Sequence, residues 1–180
     1  MLQITIPAVE MWDEVNNEFV STKEQTLQLE HSLVSLSKWE SKWHKPYLST
    51  TNMTYEEIVD YVRCMTLTQH VNADVYKHLT AQNLKDIQSY INAPMTATTF
   101  SEDKSTKRNR EIITAEVIYY WLISNQIPIE CQKWHLNRLF ALIRVCSVKN
   151  APSKKMSKKD ILSQNAAINA ARRKRMGSRG

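Results

Sequence analysis

Glycine is all but missing from this chain. It occurs twice in 180 residues, as Gly177 and Gly180, so nothing before position 177 has its backbone freedom. Phosphate-cradling loops, dinucleotide fingerprints and the tight elbow that carries a serine nucleophile all depend on that freedom. Each is therefore excluded. Proline is also sparse, with 5 residues, and the two shortages together favour helices over a many-turned all-β fold. No long apolar run is present. The longest, Val117 to Ile123, falls far short of the ~20 residues of a membrane span. Met1-Leu-Gln-Ile-Thr-Ile-Pro7 lacks both the positive flank and the apolar stretch of a secretory leader, so a soluble cytoplasmic protein is expected. The three cysteines, Cys64, Cys131 and Cys146, are odd in number and sit in apolar-periodic segments, which points to reduced thiols rather than a disulfide framework.

The net charge of +6 is unevenly placed. Residues 154–180 hold Lys154, Lys155, Lys158, Lys159, Arg172, Arg173, Lys174, Arg175 and Arg179 against the single acid Asp160, a net +8. The preceding 153 residues carry a net −2. The basic character is therefore a property of the C-terminal segment alone. Such a tail attracts nucleic acid, an anionic membrane or an acidic protein without choosing among them. It contains no Phe, Tyr or Trp to stack on bases, so nucleic-acid binding is one option beside a solvated end and a protein-docking element.

Periodicity divides the chain into a small β-sheet over residues 2–30, a helical body over 31–150 and a basic helix or tail over 151–180. Gln3–Ile6 and Thr26–Glu30 alternate polar and apolar residues. Met11–Val15 and Glu18–Val20 read as a hairpin turned by Asn16-Asn17, giving an antiparallel sheet of about three strands. From residue 31 the spacing becomes helical. Leu33, Leu36, Trp39 and Trp43 trace one face before Pro46. Thr54-x-x-Glu57 is a capping box opening a second helix, and Thr80 caps a third that stops before Pro94. Residues 95–109 read as a polar loop. Residues 110–126 are apolar nearly all round, which predicts the central, most buried helix. A helix over 129–147 carries Trp134, Leu139 and Ile143. Ser157-x-x-Asp160 then opens a final helix poor in large apolar residues, which is expected to project or to be ordered by a partner. The fold class is thus mainly α, with five to six helices and a small N-terminal antiparallel sheet.

No chemical constellation stands out. Cys131-x-x-x-His135 could set two metal ligands on one helical face, but no second ligand pair accompanies it, and a buried thiol beside a surface imidazole is the plainer reading. Glu56, Glu57, Asp60 and Glu116 suit helix starts better than acid–base work. The chain is read as a non-enzyme with no cofactor and no metal. Trp39-Glu-Ser-Lys42-Trp43 is the most suggestive stretch, because two indoles at i, i+4 beside Lys42 form either core or a broad binding face. Trp134 and Arg138 pose the same choice.

Several stretches resemble the tail assembly chaperones of long-tailed bacteriophages. They are His31-Ser-Leu-Val-Ser-Leu-Ser-Lys-Trp-Glu-Ser-Lys-Trp-His-Lys-Pro-Tyr47, Pro94–Ser101, Arg110-Glu-Ile-Ile-Thr114, Cys131-Gln-Lys-Trp-His-Leu-Asn-Arg-Leu139, Lys154–Lys159 and Asn165-Ala-Ala-Ile-Asn-Ala-Ala-Arg-Arg173. The likeness runs over most of the chain from residue 26. It implies a non-catalytic protein of the host cytoplasm that binds the tape measure protein, recruits major tail protein around it and is absent from the finished virion. On this reading Trp39, Lys42, Trp43, Trp134 and Arg138 are the expected partner-binding residues, and self-association is a further option. A structural virion component, such as a connector or tail adaptor, and a nucleic-acid-binding protein working through the basic tail are the alternatives.

Overall fold

A computed structural model describes residues 1–13, 18–100, 111–151 and 158–177. Among these residues the chain is mostly helical, with four short strands, six α-helices and three 3-10 segments. It forms two compact units, Met1–Lys149 and Asn150–Gly180. The strands belong to the first.

The strands are β1 (Leu2–Ile6), β2 (Val9–Asp13), β3 (Glu18–Thr22) and β4 (Gln25–Leu29). β1 pairs antiparallel with β4, and β2 with β3. The last pair of the first ladder is Ile6↔Gln25 and the first of the second is Val9↔Thr22, so both keep one register. The small antiparallel sheet expected at the N-terminus is present as two two-stranded ladders in one register, with four strands where about three were expected. The break falls at Pro7, whose nitrogen has no hydrogen to donate to a ladder. The last described pair is Asp13↔Glu18, and the predicted Asn16-Asn17 turn lies outside the described residues.

Alternation decides which side of this hairpin is buried. Ile4, Ile6, Leu27 and Leu29 point inward, while Gln3, Thr5 and Gln28 face out. The outer edge of β4 is closed by the chain leaving the second helix: the Leu67 amide donates to the Gln28 carbonyl at 2.8 Å and the Glu30 amide to the Met65 carbonyl at 2.9 Å. Edge closure of this kind removes unpaired backbone groups.

The first unit's helices are α1 (Leu33–Trp43), α2 (Tyr55–Met65), α3 (Ala81–Asn92), α4 (Ala115–Ser124) and α5 (Leu136–Asn150). Thr54 and Thr80 cap α2 and α3 as the sequence predicts, with Glu57 and Asn83 reaching back to complete each box. α1 begins on a box not predicted, Ser32 with Ser35. It ends on His44 in the left-handed conformation, φ 54°, a place where glycine is usual and this chain has none to offer.

α1 divides the interior into two apolar clusters. Trp39 joins Ile4, Leu27, Leu29, Val62, Met65 and Ile87 in one. Leu33 and Leu36 join Ala115, Ile118, Leu122, Leu136, Leu139 and Ile143 in the other. α4 is not the central helix that its composition predicts. Ala115, Ile118 and Leu122 are buried, but Tyr120 is 66% and Ile123 72% exposed, so only one face is covered. The segment expected as one helix over 129–147 is two pieces, a 3-10 turn at Ile129–Lys133 followed by α5.

The second unit is the helix α6 (Lys158–Met176). Its side chains from Ile161 to Met176 are all exposed. Gly177, φ 63°, ends it in the left-handed conformation that glycine adopts without a Cβ penalty. The predicted cap Ser157 and the basic residues Lys154 and Lys155 lie outside the described residues.

Candidate partner-binding groove

The indole pair that looked like a binding face is turned inward. Trp39 is fully buried, and its indole N–H donates to the Glu57 carbonyl of α2 at 2.9 Å. Trp43 is half-buried and donates to the Asp60 carboxylate at 2.9 Å, while Lys42 holds the other oxygen of that carboxylate. A buried indole needs an acceptor for its N–H, and α2 supplies both acceptors. The pair therefore staples α1 to α2. Trp134 is half-buried against the second cluster, and the exposed Arg138 guanidinium lies 4.2 Å from its ring centroid. Arg138 is in contact with Trp134, which packs on the second apolar cluster, whereas Trp39 belongs to the first.

The acids of α1 and α2 are likewise occupied in holding the fold. Glu57 closes its capping box and pairs with Lys45, whose ammonium beside it holds the carboxyl below the usual range together with the Thr54 amide. Glu40 was not singled out in the sequence. It accepts the Tyr47 amide at 2.8 Å and the Ala115 amide at 2.7 Å, pinning the first turn of α4. Thr114 makes no side-chain cap there, so Glu40 supplies from another helix the negative charge that an N-terminus favours.

A polar joint lies between the two clusters, and sequence reasoning missed it. His31 is 2% exposed, and His135, expected at the surface, is 6% exposed. Their rings are 5.2 Å apart, centroid to centroid. The Asn137 amide donates to His135 Nδ1 at 3.3 Å, which leaves Nε2 to donate to the Tyr90 carbonyl at 3.0 Å. Tyr61 Oη is 2.6 Å from His31 Nδ1. Burial raises the Tyr61 phenol well above its ordinary range, and burial followed by the neighbouring His135 lowers His31 to about 3. The neutral phenol therefore donates to a neutral imidazole. Among the described residues no buried side-chain nitrogen or oxygen lacks a hydrogen-bond partner, so the joint is a satisfied polar network that ties α2 to the segments before α1 and α5. Cys131 is buried in the second cluster and precedes α5 with His135, so the two are not ligands on one helical face. No group of three or more metal-ligating side chains occurs among the described residues.

Among the described residues a groove of about 540 Å³ opens between α2 and α3. Its floor is Tyr61, Val62 and Ile87, at 2%, 1% and 4% exposure. Leu84 and Ile91 of α3 form one wall. Leu48 and Ile58 form the other, and both stay about two-fifths exposed. None of the lining residues is charged. The joint and this groove share Tyr61, which lines the groove while its hydroxyl is held by His31 Nδ1. Helical periodicity gives Tyr55, Ile58, Val59, Val62 and Met65 as the inward row of α2 and Leu84, Ile87 and Ile91 as that of α3. Val62, Met65 and Ile87 are buried, whereas Tyr55 and Ile58 are exposed and the buried Tyr61 and Tyr90 fall outside those rows. The period could not show that the facing rows stand apart.

Among the described residues no helix is long and apolar enough to cross a membrane. Comparison with family models, with curated proteins and with solved structures finds no match, so the functional reading is built on the groove and the surfaces around it.

Proposed function

We propose that the chain is a tail assembly chaperone of a long-tailed bacteriophage, and that the α2–α3 groove holds an apolar stripe of the tape measure protein. The groove is the observation that carries this reading. It is uncharged and mainly apolar, with Thr50, Thr51 and Gln88 as its polar lining, which suits side chains at i, i+3 and i+4 of an amphipathic helix. A long helical partner that waits for its own shell of subunits exposes such stripes and aggregates unless they are covered. Recruitment of major tail protein then follows on the covered partner. The contact expected of Trp39 and Trp43 moves to Leu48, Ile58, Leu84 and Ile91, because Trp39 has no free surface.

Co-expression with the tape measure protein and pull-down at moderate salt tests it. Ile58→Glu and Leu48→Glu place a charge on exposed walls without opening the core. Each is expected to weaken capture at least tenfold while the far-UV circular dichroism stays unchanged. Capture that is indifferent to both variants rules out the groove. Mass spectrometry of purified virions separates the roles: a chaperone is missing from them, whereas a connector or adaptor is present.

A further inference from the structure

We infer that α6 is a duplex-DNA-binding helix, an activity separate from the groove and independent of the reading given for it. Charge comes first. Arg172, Arg173, Lys174 and Arg175 are consecutive in α6, and at 100° per residue they surround the axis rather than form a stripe. One or two cations satisfy the negative end of a helix dipole; four in a row, with Lys159 at the other end of a helix roughly 28 Å long, go beyond that need. Cations on all sides suit a groove with phosphates along both walls.

The face of the helix narrows the partner. Asn165, Asn169, Arg172 and Arg173 stand at i, i+4, i+7 and i+8, one face, all exposed. Amide and guanidinium side chains are the ones that pair in bidentate fashion with adenine and guanine edges. Ile161, Leu162 and Ile168 share this side but are interrupted by the two asparagines and Arg172, so no continuous apolar stripe forms. A membrane surface and an apolar protein groove both require such a stripe. The B-form major groove admits an α-helix, and the narrow A-form one does not, which favours DNA over duplex RNA. The first 153 residues carry a net −2 and add nothing to phosphate attraction.

The test uses the full chain and a labelled 20-base-pair duplex in fluorescence anisotropy across a salt series. Binding is expected to fall steeply with salt. Replacing all four of Arg172, Arg173, Lys174 and Arg175 by Gln should weaken binding at least tenfold and flatten the log–log salt slope by about 3. Circular dichroism checks that the variant keeps its helix content, and if α6 melts, the double variant Arg172→Gln with Arg175→Gln takes its place, with half the slope change expected. Duplex RNA, polyglutamate and phosphatidylserine vesicles of matched charge are expected to bind at least tenfold more weakly than DNA. Equal binding of any of the three, or an unchanged slope in the variant, overturns the inference.

Discussion

Burial and the neighbouring His135 ring hold the His31 imidazole at about 3, so the folded chain stays neutral there while an unfolded one, near 6.5, takes up a proton. His135 is lowered in the same direction, by burial. The unfolded state therefore binds more protons across the interval between those values, and stability falls with pH through it. It is complete above 6.5. By pH 4.5 the His31 contribution lost is about 2–3 kcal/mol, at 1.36 kcal/mol per unit. The groups facing His31 are Tyr61, Tyr47 and His135, and burial raises both phenols, so neither offers a negative charge to rescue the imidazolium. Urea denaturation at pH 7 and pH 4.5 measures this. His31→Asn, whose side-chain oxygen can accept from Tyr61 in place of Nδ1, should lower stability at neutral pH yet lose much of the pH dependence. If the variant is as acid-sensitive as the parent, His31 is not the titrating group. None of this was legible in the sequence. His31 leaves a strand and His135 precedes α5, over a hundred positions away, and only the tertiary fold makes them neighbours.

At the scale of elements, local signals were read well and facing surfaces were not. The boxes at Thr54 and Thr80 span four residues each, and both stand where the spacing places them. The 3.6-residue period finds Val62, Met65 and Ile87 but also turns Tyr55 and Ile58 inward, and both are exposed. α4 shows the limit. Its residues are apolar on every side, which says how much burial the helix could accept and nothing about how many neighbours arrive to provide it. Here α1 covers one side, and Tyr120 and Ile123 remain outside. Two substitutions separate the expectation from the structure. Ile118→Ala removes a fully buried side chain and should cost about 2–5 kcal/mol. Ile123→Glu alters a site 72% exposed and should change stability by no more than about 0.5 kcal/mol. Both are read from urea midpoints at constant slope. A central α4 would make the second variant the more damaging one. The indole pair on α1 failed as a binding face for a related reason: spacing put both rings on one side, but the acceptors that draw that side inward, the Glu57 carbonyl and Asp60, belong to α2.

For the whole molecule the division of charge coincides with the division of structure. The first compact unit ends at Lys149, and the basic excess begins at Lys154. Both apolar clusters and the α2–α3 groove lie wholly within the first unit, whereas no described side chain of α6 from Ile161 onward is buried. Ending the chain after Ala151 removes no side chain that belongs to either apolar cluster. The shortened protein should unfold in one transition, with stability within about 0.5 kcal/mol of the parent. Its net charge turns from +6 to −2, so it should pass through a cation exchanger that retains the full chain. The same truncation separates the two proposed activities. Capture of the tape measure protein through the groove should persist, and retention on duplex DNA should be lost. Loss of both would place the partner contact on α6, because a body that keeps its stability keeps its groove. Persistence of DNA binding would move that surface to the body, whose net −2 makes it a poor host for phosphates.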